Sequence, residues 1–171
     1  MQSHTCILSA FTLSTAMLLG AAVMAADLPK EGTFNAIYST FGTIKTTTIG
    51  KERVMFVFDE NGLIRSDGLL DHTTWHCWGM AEFVNGVGAP YGSCVATDPA
   101  GDQISVNFAH EKWHTLNEKN VRASATITAG TGKYTGITGG WTYVAHVNEF
   151  RTAVEGTYSV DCTMQGNYKL Q

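Results

Sequence analysis

Between residues 54 and 162 the dominant hydrophobic period is two, and no stretch keeps the three-to-four spacing of a long amphipathic helix. Val54, Phe56 and Phe58 share one face of a strand, and Asp59-Glu60-Asn61-Gly62 reads as the turn that ends it. Trp75, Cys77, Gly79, Ala81 and Phe83 share a second face, with His76, Trp78, Met80 and Glu82 opposite. After Asp98-Pro99-Ala100-Gly101-Asp102 the alternation resumes at Ile104, Val106, Phe108 and His110. It continues through Val121 to Ile127, Trp141 to Val147 and Val154 to Cys162. Short strands at this spacing, joined by polar turns and divided by no linker, predict one all-β domain, an antiparallel sandwich or a closed barrel.

The first 26 residues stand outside that pattern. Cys6 to Val23 is almost wholly apolar or small, and Ala22-Val23-Met24-Ala25-Ala26 supplies the small residues a signal peptidase needs. Residues 1–25 are therefore read as a signal peptide and 26–171 as the mature domain, periplasmic or secreted, with no stable membrane insertion after cleavage. The n-region carries only His4, and the competing reading is an uncleaved membrane helix near the lower length limit. Residues 1 to 26 hold no Asp, Glu, Lys or Arg, so the 11 basic and 15 acidic groups and the net charge of −4 all belong to the mature part. No basic run interrupts that balance, which excludes duplex nucleic acid as a partner class.

An exported chain meets an oxidising compartment, where thiols pair. The mature part keeps Cys77, Cys94 and Cys162, an odd number. Cys77 and Cys94 flank the turn-rich segment Asn85 to Gly92, so two antiparallel strands joined there would bring them together. Cys162 bridging to one of them is the alternative. These cysteines are too far apart in sequence for a Cys/His zinc site, and no metal or cofactor is expected.

Ala129-Gly130-Thr131-Gly132-Lys133-Tyr134-Thr135-Gly136-Ile137-Thr138-Gly139-Gly140 is the most distinctive segment. It lacks the spacing of a phosphate-cradling loop. The glycines instead permit positive φ and a tight turn against a barrel end that Tyr134 and Ile137 plug. With the aromatic strand at Trp141 and Tyr143, Glu155-Gly156-Thr157-Tyr158, and the segment Cys94 to Asp102, this run resembles the allene oxide cyclase barrel-like and dirigent-like superfamily. The resemblance is good over the C-terminal half and covers residues 31–70 only in layout. It implies an eight-stranded antiparallel β-barrel of the calycin kind with a cavity suited to an apolar ligand, and a dimer or trimer in some relatives. Bacterial relatives include many small exported proteins. Plant relatives act on bound lipid epoxides or phenoxy radicals, but none of their catalytic residues finds a matching position here.

Chemistry is sought first in Asp71 to Glu82. In a strand His76, Trp78, Met80 and Glu82 point to one face, with His72 in phase. If that face lines the lumen, His76 and Glu82 are the acid/base candidates, and Trp78, Met80 and His72 contact the ligand. The competing reading places them against solvent or a subunit interface. His110 and His114 form a second histidine pair at a strand end. Ser93 lacks the elbow of a hydrolase nucleophile. Two functions follow: an exported barrel that binds a small apolar molecule or assembles as a structural oligomer, and a cofactor-free cyclase or isomerase.

Overall fold

The computed structural model describes residues 28–110, 114–115, 118–147 and 154–171. The expected leader at 1–25 lies outside them. Nine strands are described: β1 (Glu31–Ile49), β2 (Arg53–Ser66), β3 (Thr74–Val84), β4 (Val87–Thr97), β5 (Gln103–His110), the two-residue β6 (His114–Thr115), β7 (Asn120–Gly130), β8 (Thr138–Val147) and β9 (Thr157–Lys169). All neighbours are antiparallel, in the order β3-β2-β1-β9-β8-β7-β5-β4, and β4 pairs back onto β3. The ring is therefore a closed eight-stranded barrel, with β6 added to the rim of β4 through Val87 and Gly88. Closure removes the free sheet edges that an open sheet of this kind would expose. Among the described residues no helix is long and apolar enough to cross a membrane.

The alternation written in the sequence becomes the barrel wall. Phe34, Ala36, Tyr38 and Thr40 of β1, Trp75, Cys77 and Ala81 of β3, and Trp141, Tyr143 and Ala145 of β8 are all buried and point inward. One expectation is corrected. Asp59-Glu60-Asn61-Gly62 does not end a strand: β2 runs through it, paired residue for residue with β1 and β3. Polar composition suggested a turn, but Ile64 keeps the period-two phase of Phe56 and Phe58, so Glu60 falls on the inner face with 7% exposure.

The two barrel ends differ. At one, the β2–β3 loop drives Leu69 and Leu70 into the core, and the turn of 3₁₀-helix at Gly132–Tyr134 buries Tyr134, with Ile137 beside it. Lys133 Nζ lies 2.6 Å from Asp98 Oδ2, and the Lys133 amide donates to Asp102 Oδ2 at 3.1 Å, tying this plug to the β4–β5 loop. Gly132 has a φ of +51°, and a Cβ there would strike the Asp102 carboxylate, so the clamp requires glycine. At the other end lie the β1–β2 turn and the Asn85-Gly86 turn, whose positive φ values of 52° and 77° suit a two-residue hairpin.

Candidate lumenal site

The lumen is incompletely filled. A cavity of about 300 Å³ extends from the middle of the barrel toward the end opposite the plug, with Trp75, Phe58, Phe108, Tyr143, Val106 and Ala125 in its wall. Glycines on the inner face make room for the rings. A Cβ on Gly79 would come within 2.5 Å of Phe58 Cζ, and one on Gly92 within 2.8 Å of Phe108 Cζ. Aromatic contacts run continuously from the plug to the mouth. Phe34 meets Trp141 (ring centroids 5.9 Å apart), Trp141 meets Trp75 (6.0 Å), and Trp75 meets Tyr38 (5.8 Å). Tyr143 then links Tyr38 (6.4 Å) to His110 (6.3 Å).

Few polar groups interrupt this wall, and each has a definite cause. Glu60 is brought inward by the phase of β2, and Tyr158 of β9 donates its hydroxyl to Glu60 Oε2 at 2.7 Å. Burial raises the Glu60 carboxyl above the usual range, and hydrogen bonds from Tyr158 and Thr40 only partly offset that. The Tyr158 phenol is pushed up in turn, by burial first and by the neighbouring Glu60 second. Burial likewise raises Tyr38 and Tyr143. Cys162 is a buried free thiol whose titration is also pushed up by burial, which removes it as a thiolate nucleophile. At the mouth, burial and the adjacent His114 lower His110 to about 4, so its ring is neutral.

The cavity face proposed from sequence is corrected. Even-numbered residues of β3 point outward, because the odd-numbered set carries Trp75, Cys77 and Ala81 into the core. His76 stands on the outer wall, 46% exposed, with Nε2 3.2 Å from Asp59. Glu82 pairs with Arg53 at 2.8 Å on the same surface. Trp78 is 43% exposed and stacks at 5.1 Å from His76. Met80 is half-buried on that outer face. His72 precedes the strand, in the β2–β3 loop, and contacts Asp71 at 2.6 Å. None of the five lines the cavity.

Cys77 and Cys94 form a disulfide across directly paired residues of β3 and β4, and both border the cavity. The Cys162 alternative is thereby set aside. Sequence reasoning passed over Glu60, Trp75 and Tyr158 as site residues, and took His110 and His114 for a strand end. Glu60 had a signal in the unbroken phase from Phe56 to Ile64. The proximity of Tyr158 had none, since 98 residues separate it from Glu60.

No protein-family model matches the sequence, and no curated protein does. The fold is similar to that of a solved structure, the pterocarpan synthase dirigent protein, with a TM-score of 0.51 at 11% identity over 95% of this chain and 98% of that one. The likeness shows a dirigent-like barrel.

Proposed function

We propose that this chain is an exported barrel whose lumen receives a small, largely apolar molecule. The observation that carries the reading is the cavity of about 300 Å³ inside an otherwise packed aromatic core. Protein interiors hold few voids larger than a water molecule, and this volume sits at the low end of the roughly 300–1,000 Å³ of small-molecule sites. The similar solved structure is a protein named for a synthase activity, which fits a barrel that holds a reactive molecule in place. Export rests on the leader pattern and is supported by the Cys77–Cys94 disulfide. Native mass spectrometry on protein taken from its own host tests the reading. A retained small molecule, released on denaturation, is the expected result. Protein that comes empty and takes up no apolar compound added to it contradicts the reading.

A second reading, cofactor-free cyclisation or isomerisation of the bound molecule, draws support from Glu60. A carboxyl raised by burial and hydrogen-bonded to a phenol on the cavity wall is placed to exchange a proton with a bound molecule. In that reading Glu60 takes the role sequence reasoning gave to His76 and Glu82. Loss of turnover in Glu60→Gln, with turnover intact in His76→Ala and Glu82→Ala, is its expected signature.

A further inference from the structure

The cavity ends at the mouth on a histidine pair. His110 closes β5, and His114 is fixed opposite it because β6 pairs with Gly88 of β4. The two rings meet edge to face with centroids 5.0 Å apart, and both border the cavity. His114 is 8% exposed, and its Nδ1 lies 3.5 Å from Glu118 Oε2. His110 Nδ1 and His114 Nε2 are both buried and have no hydrogen-bond partner among the described residues. Buried polar atoms without a partner are rare, because an unsatisfied one loses its hydration and gains nothing in return.

Resting on the lumenal-binding reading, we propose that the His110–His114 pair is the polar end of the ligand site and takes the hydroxyl group of a neutral, otherwise apolar molecule. The donor and acceptor count leads to a hydroxyl. A neutral imidazole has one N–H and one lone pair. The Glu118 carboxylate, 3.5 Å from Nδ1, favours by its negative charge the tautomer with the proton on Nδ1, which leaves a lone pair on Nε2. That lone pair needs a donor from the ligand. The hydroxyl gives its single proton to His114 Nε2, so its oxygen accepts from His110, which must then carry its own proton on Nδ1. One hydroxyl between the rings satisfies both nitrogens.

Charge sets the rest of the specificity. The cavity wall includes Glu60 and Glu118 but neither Lys nor Arg among the described residues. A carboxylate at the mouth would face the His114 lone pair and the Glu118 charge with no cation to compensate. The hydroxyl compound is therefore favoured over both its hydrocarbon and its carboxylate counterparts.

Equilibrium dialysis of the intact protein against 2-naphthol, naphthalene and 2-naphthoate at neutral pH tests this directly. The expected order is 2-naphthol about tenfold or more tighter than naphthalene, with 2-naphthoate weakest. In His114→Phe and in His110→Phe the preference for the hydroxyl should shrink to within about twofold while naphthalene still binds. Equal binding of naphthol and naphthalene by the unaltered protein overturns the hydroxyl assignment and leaves the lumenal reading standing. Tightest binding of naphthoate overturns the assignment through its charge argument. Binding of none of the three overturns the lumenal reading and the inference with it.

Discussion

The two faces of β3 carry residues of similar chemical promise and opposite fates. On the outer face His76, Trp78 and Glu82 form a group of the kind that suggests catalysis, yet all three have exposed side chains, and His76 and Glu82 are paired with the surface partners Asp59 and Arg53. On the inner face Trp75, Cys77 and Ala81 include no acid or base, yet they border the cavity. Alternation separates a strand into two faces and does not label them. The label comes from neighbouring strands: in a closed barrel the face holding the disulfide, the bulky Trp75 and the small Gly79 has to be the one that packs against rings from across the lumen.

The largest contrast between the faces should appear on truncating their two tryptophans. Trp75→Ala should cost about 3–5 kcal/mol, because it opens a void among Tyr38 and Trp141, whereas Trp78→Ala should cost under about 1 kcal/mol. Urea unfolding of both variants reads this, and equal losses would remove the inside–outside assignment. Next comes the disulfide. Replacing Cys77 and Cys94 together by Ser should cost about 3 kcal/mol for a loop of this length, with separation 17. It should also loosen the cavity wall, seen as weaker binding of an apolar probe.

The cavity's own polar groups contribute opposite pH dependences. His110 titrates near 4 in the folded chain against about 6.5 when unfolded, so the native state binds fewer protons between those values. Its contribution is present above about pH 6.5 and is lost as pH falls toward 4, by about 3 kcal/mol in all. Glu60 is raised instead, so the cost of ionising it appears as pH rises above the usual carboxyl range. Unfolding midpoints of His110→Gln between pH 4.5 and 7 should lose the acid-side decline and keep the opposing slope. An unchanged profile would place His110 in water. The smallest effect belongs to the outer face again. Double replacement of His76 and Glu82 by Ala should change stability by less than about 1 kcal/mol, since both ion pairs are exposed, and should leave probe binding unchanged. Lost binding in that variant would return the site to the outer wall.

Much of the barrel was legible because period-two alternation and turn chemistry are local. Asn85-Gly86 marks a hairpin, and the residues that follow it bring Cys94 opposite Cys77. The glycine run marks a plug, and Tyr134 and Ile137 are found buried there. The site was less legible, since it is made of distant residues. Tyr158 reaches Glu60 only because β9 and β2 both flank β1, and His114 reaches His110 only because β6 folds back onto β4. The misreading at residues 59–62 has the same origin. A polar run looks like a turn until the partner strands on both sides hold it extended.

The central claim is that the lumen, and no outer surface, holds the ligand. Ala145 lies on the cavity wall, buried at 4% exposure, and Ala145→Phe would fill the space with a ring. The decisive measurement is binding of a fluorescent apolar probe to this variant and to Trp78→Ala, with the unaltered protein as reference and β-structure checked by circular dichroism. The account predicts binding lost in folded Ala145→Phe and kept in Trp78→Ala. Binding that survives the filled lumen, or that disappears with Trp78, would contradict it.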